Sequence, residues 1–255
     1  MASAKTIVLI TGANGGVGFE TAAAIGALSA KYHVLVGSRT VSKGEKAVAE
    51  LQARSPQATY SALQLDVTSD DSITAAAAAV EQEFHKLDVL INNAGVIMSA
   101  DLPLREQLRA TFETNSIGPA VMIQAFLPLL KKSTDPRIIN VSSDLGSITL
   151  KTQKDPSWWS NFVLAEPYRM SKAALNMLTA SESVELGKQG IKVFGVCPGY
   201  VVTNLSGTGE KGREERVKNG AGDPSVSGQT IASIVDGKRD SDVGRVVHKD
   251  GVYPW

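Results

Sequence analysis

The chain has 255 residues, of which 43% are hydrophobic and 20% are charged. These proportions are typical of a soluble globular protein. No stretch rich in Pro, Gly and Ser interrupts the middle of the chain, so we expect one domain spanning 1–255. The 26 Lys and Arg residues balance the 26 Asp and Glu residues. This balance removes the electrostatic argument for binding nucleic acid or an anionic membrane.

The cysteine content and the apolar runs indicate in which cellular compartment the protein is expected. Cys197 is the single cysteine, so an intramolecular disulfide cannot form and a reducing interior fits best. The apolar run at 6–10 is too short for a signal peptide. No run approaches the roughly 18 apolar residues of a membrane span. We therefore expect a cytoplasmic protein that does not bind a membrane.

Apolar runs of strand length alternate with segments of helical periodicity along the whole chain. Strands are predicted at 5–11, 33–38, 60–67, 87–95, 137–143, 191–199 and near 244–248. Helices are predicted at 17–30, from a capping box of Ser42 and Glu45 to about Ala53, at 68–84, 105–131 and 168–188, and near 224–236. This alternation predicts an α/β protein with a doubly wound sheet of seven parallel strands and helices on both faces.

The stretch TGANGGVG at 11–18 follows the first strand and opens the first helix. It does not match the G-x-G-x-x-G pattern of many dinucleotide sites. Glycines let a backbone approach a phosphate closely, and the free N–H groups of a helix N-terminus favour an anion. A plain strand-to-helix turn is the other interpretation. The position in the first β-α-β unit favours a pyrophosphate.

The end of the second strand bears on which dinucleotide binds. It reads Gly37-Ser38-Arg39-Thr40 and lacks the acid that bonds the ribose 2′-OH of NAD. Arg39 offers a planar, bidentate cation to a 2′-phosphate, which favours NADP, although a solvated surface arginine is the alternative. Asp66, after the third strand, is a candidate for contact with the adenine and also for capping the helix at 68–84.

Tyr168 and Lys172 are four residues apart on a predicted helix and therefore share a face. An ammonium about 4 Å from the phenol would contribute roughly 4 kcal/mol, which corresponds to about 3 pKa units and brings the phenol near pH 7. Ser143, at the end of the fifth strand, is a candidate for holding a substrate oxygen. An exposed Tyr–Lys pair without function is the alternative.

Taken together, the motifs identify a resemblance to the short-chain dehydrogenase/reductase family over nearly the whole chain. They are TGANGGVG (11–18), LDV (65–67), NNAG (92–95), Asn115, VSS (141–143), YRMSK (168–172) and PGYVVT (198–203). Within the family, the residues SR after the second strand and HKDGVYPW at the end are most similar to carbonyl-reductase-like members. The resemblance implies a single-domain Rossmann fold that uses NADP(H).

The resemblance also implies roles for individual residues. Tyr168 is the general acid, Lys172 lowers its pKa and bonds the nicotinamide ribose, and Ser143 is the serine of the site. Asn115 kinks the long helix and holds a water that leads to Lys172. The residues assigned to the cofactor are Gly12, Asn14, Gly16, Val17, Gly18, Ser38, Arg39, Asp66, Val67, Asn93, Ala94, Gly95, Tyr168, Lys172, Pro198, Gly199, Val201 and Thr203.

Two departures from the family pattern are visible. Gly15 stands where NADP-preferring relatives often have a basic residue, so Arg39 must hold the 2′-phosphate without that help. Ser143 and Tyr168 are also further apart than is usual, which indicates an insertion within 149–167. We interpret it as a substrate wall; an aromatic plug or an oligomer contact are the alternatives. The substrate candidates are Trp158, Trp159, Phe162 and Tyr200.

The segment 204–223 is predicted to be a substrate lid that is poorly ordered without ligand. Its charge run EKGREER at 210–216 is interpreted as a solvated face. Cys197 is expected in the core. The three histidines fit no metal-ligand spacing, so no metal is expected.

The sequence therefore predicts NADPH-dependent reduction of a ketone or aldehyde to an alcohol, with a small-molecule carbonyl compound or alcohol as the substrate. One alternative is an NAD-dependent alcohol dehydrogenase of the same family. Another, of a different class, is an NADP-binding redox sensor without turnover. The sequence leaves a homodimer, a homotetramer and a monomer open.

Overall fold

The computed structural model describes residues 5–153, 165–205 and 209–255. Trp158, Trp159 and Phe162, which were predicted to form a substrate wall, lie outside the described residues.

The strands of the described chain form one sheet in the order β3-β2-β1-β4-β5-β6-β7-β8. Neighbouring strands are parallel as far as β7, and β8 pairs with β7 in the antiparallel direction. Their bounds are β1 (Thr6–Ile10), β2 (Tyr32–Ser38), β3 (Thr59–Gln64), β4 (Val89–Asn92), β5 (Arg137–Val141), β6 (Lys192–Val196), β7 (Val246–His248) and β8 (Gly251–Tyr253).

Helices connect these strands. They are α1 (Gly16–Leu28), α2 (Val41–Arg54), α3 (Asp70–Phe84), α4 (Leu104–Phe112), α5 (Gly118–Leu130), α6 (Ile148–Thr152), α7 (Glu166–Glu185), α8 (Gly209–Lys218) and α9 (Pro224–Val235). A π-helical turn, Glu113–Ile117, joins α4 to α5 without a break. The predicted long helix at 105–131 is thus one run with a locally wider turn in its middle.

The sheet is doubly wound, as predicted. From β1 the chain moves outward to β2 and β3, then returns to the other side of β1 and proceeds through β4, β5, β6 and β7. The order reverses between β1 and β4. In open α/β sheets, ligands bind beyond the carboxyl ends of the strands at such a reversal.

Alternate residues of β1 explain why the sheet is buried on both faces. Val8 and Ile10 belong to the core that α1, α2 and α9 cover. Ile7 and Leu9 point the other way into the core beneath α3 and α5. A strand covered on both faces reads as a continuous apolar run, which is the pattern TIVLI.

The structure corrects the prediction at two points. The seven parallel strands are present, but β8 was missed, since three residues after a turn are too few to show a period. The capping box was also wrong. Thr40 is the N-cap residue of α2, and Ser42 lies inside the first turn of the helix.

Two helices occupy regions for which the sequence predicted no secondary structure. α6 extends from Ile148 into the predicted insertion at 149–167, and α8 occupies much of the predicted lid at 204–223. Poor order of the lid without ligand stays a prediction. No helix among the described residues combines the length and the apolar content that a bilayer-spanning segment requires.

Candidate active site

A cavity of about 390 Å³ opens at the carboxyl ends of β1, β4, β5 and β6. Polar loops from all four strands converge there, as the sheet reversal predicts. The predicted site residues that line it are Gly12, Asn14, Gly16, Val17, Ser38, Arg39, Asp66, Val67, Asn93, Ala94, Gly95, Ser143, Tyr168, Lys172, Pro198, Gly199, Val201 and Thr203. Three other predicted residues, Gly18, Asn115 and Tyr200, are not among its lining residues.

Two positions of the glycine loop require glycine, each for a different physical reason. Gly16 has a φ of +57°, which side chains rarely adopt. A Cβ at Gly18 would lie 2.5 Å from Asn93 Nδ2 and 2.9 Å from the carbonyl oxygen of Gly12. Gly18 therefore lets the start of α1 pack against the loop after β4, beneath the cavity rather than in its wall. The loop leaves open space above Gly15, where a Cβ would meet no atom within 4 Å.

One end of the cavity is formed by the residues after β2. Ser38 is buried, and its hydroxyl donates to the carbonyl oxygen of Thr40 at 3.0 Å. Arg39 is exposed and lines the cavity, together with Lys43 from the first turn of α2. Lys43 was missed. The sequence shows that Lys43 is four positions after Arg39. That Lys43 faces the cavity depends on the start of α2 at Val41, which the sequence did not predict.

Asp66 lines the cavity but does not cap α3. Its Oδ1 accepts hydrogen bonds from the backbone N–H of Thr68 at 3.0 Å and from the hydroxyl of Thr68 at 2.7 Å. The capping residue of α3 is Ser69, whose side chain accepts from the N–H of Ser72. The capping interpretation of Asp66 was therefore wrong, and the contact with the adenine stays a prediction.

The loops after β1 and β4 are fixed to each other. Asn93 Nδ2 donates to the carbonyl oxygen of Thr11 at 2.8 Å, and the hydroxyl of Thr11 accepts from the N–H groups of Asn93 and Ala94. Below them, Asn92 Nδ2 donates to Asn140 Oδ1 at 2.9 Å, between β4 and β5. These bonds hold the floor of the cavity at the sheet reversal.

Asn115 lies in the π-helical turn and is fully buried. Its Oδ1 accepts from the N–H of Val96 at 2.8 Å, and its Nδ2 donates to the carbonyl oxygen of Val96 at 2.9 Å and to the hydroxyl of Ser171 at 3.0 Å. Asn115 thus connects the long helix, the loop after β4 and α7. The water that the resemblance assigns to it stays a prediction.

Ser143, Tyr168 and Lys172 meet at the other end of the cavity. Lys172 Nζ lies 5.6 Å from the centroid of the Tyr168 ring and donates to the carbonyl oxygen of Val141 at 2.7 Å. The turn after Ser143 packs closely on α7, since a Cβ at Gly146 would lie 2.6 Å from the carbonyl carbon of Lys172. This close packing brings the serine against the tyrosine.

The hydroxyl of Ser143 forms hydrogen bonds with the next two residues of the chain. It donates to Asp144 Oδ1 at 3.0 Å and accepts from the N–H of Leu145 at 3.1 Å. The thiol of Cys197, at the end of β6, lies 3.6 Å from the same carboxylate oxygen. Cys197 is buried, as predicted, and burial raises its pKa to about 12.

Burial controls the pKa values of Tyr168 and Lys172 on α7. It raises the pKa of the Tyr168 phenol above its ordinary value, and the Cys197 and Asp144 groups raise this pKa further. Burial also lowers the pKa of Lys172 to about 8. The expected fall of the phenol's pKa toward 7 was therefore wrong for this structure. Desolvation of both groups, which depends on packing and not on their spacing in the sequence, determines these pKa values.

Four described residues of the predicted lid contribute to the wall of the cavity. Asn204, Leu205, Arg213 and Arg216 line it. Arg216 is partly buried; its Nη1 donates to the carbonyl oxygen of Val201 at 3.3 Å, and its guanidinium lies 5.4 Å from the centroid of the Tyr200 ring. The interpretation of 210–216 as a solvated face was wrong for Arg216. Arg213 is exposed, in agreement with that interpretation, although it also lines the cavity.

Comparison with known proteins identifies the family. The profile of the family described as short chain dehydrogenase matches residues 6–214. The chain belongs to this family. It is an oxidoreductase of the short-chain dehydrogenase family, which uses a nicotinamide cofactor.

Several short-chain dehydrogenases resemble the chain over most of their length. The short-chain dehydrogenase/reductase tropE of Talaromyces stipitatus is 36% identical, with 99% of each chain covered. The short-chain dehydrogenase anuI of Penicillium roqueforti is 44% identical over 83% of this chain and 85% of that protein.

Solved structures show the same fold. The NADPH-bound carbonyl reductase from chicken fatty liver is 30% identical, with a TM-score of 0.78 and 99% of each chain covered. A variant of the actinorhodin polyketide ketoreductase with NADPH is 26% identical, with a TM-score of 0.77, over 96% of this chain and 95% of that one.

Proposed function

We propose that the protein reduces a ketone or an aldehyde to an alcohol with NADPH, using Tyr168 as the general acid. The observation that carries this proposal is that one cavity brings the necessary groups together. Its wall contains the glycine loop, the basic residues after β2 and the set of Ser143, Tyr168 and Lys172. A dinucleotide and a small carbonyl compound fit this arrangement of groups.

The glycine loop is suited to the pyrophosphate. Gly15 and Gly16 line the cavity, and the space above Gly15 is open. The N-terminus of α1 adds free N–H groups and a positive dipole end. The residues present therefore fit a nicotinamide dinucleotide.

The choice of NADPH over NADH rests on the residues after β2. No carboxylate follows the strand, so nothing there repels a 2′-phosphate or bonds a 2′-OH in its place. Arg39 offers a bidentate guanidinium and Lys43 a second cation at the same end of the cavity. The NADPH named in the descriptions of both solved structures supports the same choice.

When bound, the dinucleotide supplies a hydride to the carbonyl carbon. The hydroxyl groups of Ser143 and Tyr168 orient the carbonyl oxygen and polarise it. As the oxygen gains electron density, it takes the phenolic proton, and Tyr168 becomes a phenolate. The neighbouring ammonium of Lys172 stabilises that phenolate. Alcohol oxidation uses the same groups in the opposite order.

A panel assay with one variant tests the proposal. NADPH consumption is followed by absorbance over ketones, aldehydes and quinones, with Tyr168→Phe beside the wild type. We expect turnover of at least one carbonyl compound by the wild type and a loss of about 10³-fold or more in the variant, with NADPH binding retained. Tyr60→Phe is the matched control, because Tyr60 lies on β3 and bonds Ser55 rather than lining the cavity.

The rival functions give different results in the same assay. Equal or better turnover with NADH supports the NAD-dependent alcohol dehydrogenase and removes the role proposed for Arg39. NADPH binding without turnover of any carbonyl compound or alcohol supports the redox sensor. Full activity of Tyr168→Phe contradicts the mechanism.

A homodimer is part of the same proposal. Met170, Met177 and Val184 are exposed and recur every seven residues on α7, so they form one apolar line. Ile117, on the π-helical turn, is exposed as well. A second copy of the chain would cover this line. Light scattering should give twice the chain mass of 26.9 kDa, and the mass of one chain contradicts the homodimer.

A further inference from the structure

The charged lining of the cavity is strongly unbalanced. Among the described residues, its cations are Arg39, Lys43, Lys172, Arg213 and Arg216, and its one carboxylate is Asp66. Two of the cations lie at the 2′-phosphate end, and Lys172 lies beside Tyr168. The arginines of α8 are therefore additional to those that the proposed cofactor chemistry uses.

Arg213 and Arg216 are three positions apart on α8, so both side chains lie on the same side of the helix. In the part of the chain that the structure describes, neither guanidinium lies within 4 Å of a carboxylate oxygen. Each guanidinium has five N–H donors in a planar fork. Both arginines line the cavity, Arg213 as an exposed and Arg216 as a partly buried side chain, so each offers the cavity N–H donors that no described carboxylate engages.

The position of Arg216 indicates which end of the cavity the pair serves. Its hydrogen bond to Val201 and its contact with Tyr200 hold it over the segment after β6. Its charge also lowers the pKa of Tyr168, which acts against the burial that raises it. Arg216 thus lies at the catalytic end, and the phosphate-binding residues lie at the glycine loop and after β2.

We propose that Arg213 and Arg216 bind a carboxylate of the carbonyl substrate, so that the enzyme prefers keto acids or aldehyde acids over neutral analogues. The inference rests on the proposed reductase function and adds the substrate class. The lid helix then recognises the substrate by charge, and the guanidinium pair fixes the distance between the carboxylate and the reacting carbonyl.

Matched substrate pairs test this inference. Acetylbenzoates and related aromatic ketones are assayed as free acids and as methyl esters, with NADPH, for the wild type, Arg213→Gln, Arg216→Gln and the double variant. Lys218→Gln is the control, because Lys218 is an exposed cation of α8 that does not line the cavity. The dissociation constant of NADPH is measured for each protein without substrate.

We expect the wild type to favour the acid in kcat/KM by about tenfold or more, and the double variant to lose that preference through the KM of the acid. The dissociation constant of NADPH should stay within about twofold of the wild-type value in every variant. Arg216→Lys, which keeps the charge, should retain more of the preference for the acid than Arg216→Gln does. Lys218→Gln should behave as the wild type.

Three outcomes overturn the inference. Equal turnover of acids and esters by the wild type contradicts recognition of a substrate carboxylate but leaves the reductase function supported. Weaker NADPH binding in the double variant, with equal losses on acid and ester, assigns the arginines to the cofactor pyrophosphate. A wild type that turns over no carbonyl compound with NADPH overturns the reductase function and this inference together.

Discussion

The two ends of the cavity are built in opposite ways. At the catalytic end, Ser143, Tyr168 and Lys172 are 8%, 8% and 4% exposed. At the 2′-phosphate end, Arg39 and Lys43 are exposed side chains. The catalytic end holds Ser143, Tyr168 and Lys172 inside the protein, where close packing fixes their positions, and the 2′-phosphate end holds its cations at the surface.

This difference separates two kinds of contribution to function. A buried group acts through a fixed position and a shifted pKa, so its loss should change the rate of the chemical step. An exposed cation acts through an attraction that water and salt screen, so its loss should change affinity. The comparison therefore predicts changes in kcat at one end and in the KM for NADPH at the other.

After Tyr168→Phe, the largest effect is expected from Ser143→Ala. Removing a hydroxyl that orients the developing oxyanion should lower kcat by about 10²–10³-fold, while the dissociation constant of NADPH stays close to that of the wild type. Steady-state kinetics and fluorescence titration give the two values. Ser143→Thr is the control, because it keeps a hydroxyl for both the substrate and the N–H of Leu145. A large rise in the dissociation constant of NADPH for Ser143→Ala would contradict the prediction that the catalytic end affects kcat and not NADPH affinity.

A smaller effect is expected from the double variant Arg39→Gln, Lys43→Gln. Loss of two cations that face a 2′-phosphate should raise the KM for NADPH by about 10–100-fold and leave the KM for NADH nearly unchanged. The wild-type KM for NADPH should rise with added salt, and the variant's should rise less. Lys46→Gln is the matched control, since Lys46 is exposed on the same helix and lies 3.9 Å from Glu50. Equal changes with both cofactors would contradict the proposed role.

The smallest effect concerns stability. Because burial lowers the pKa of Lys172 to about 8 from its ordinary 10.5, the folded chain binds this proton more weakly than the unfolded chain does. The buried ammonium therefore opposes folding below about pH 8, and this opposition fades as the pH rises toward 10.5. Lys172→Met should be inactive but more stable at pH 7 by about 1 kcal/mol, which raises Tm by about 2–4 °C.

Thermal melts at pH 6.5 and at pH 10 check the sign. The gain should be largest at the lower pH, and Lys218→Met, at an exposed position, should show no such change. A lower Tm of Lys172→Met at pH 6.5 would mean that the hydrogen bond to Val141 outweighs the burial of the charge.

Much of the fold was predictable because local pattern and tertiary environment agree. The run TIVLI is apolar from Ile7 to Ile10, and these four residues of β1 are buried on both faces of the sheet. The place of Ser143, Tyr168 and Lys172 at strand ends and on one helix face also followed from their order and spacing. The roles of these residues stay proposals, although the structure brings all three to one end of the cavity.

The remaining features depend on distances that no short pattern contains. Lys43 reaches the cavity because α2 begins at Val41, earlier than the predicted capping box placed it. Arg213 and Arg216 have a helical spacing, but no helix was predicted within the lid at 204–223, so the spacing could not be interpreted. The pKa of Tyr168 was predicted in the wrong direction, because desolvation depends on burial that only packing determines.

The side chain of Asn115, on a helix, forms the hydrogen bonds with the backbone of Val96 that a neighbouring strand would otherwise form. Beyond β4, Val96 has no neighbour in the sheet's ladder of strands, yet both of its backbone groups are bonded to one carboxamide. Toward Val96 that side chain uses one donor and one acceptor, as a peptide group does, while its second N–H bonds Ser171. The turn of the long helix needed to place it is wider than an α-helical turn. The irregular turn and the ordered loop are therefore two parts of a single adaptation, and neither can be altered independently of the other.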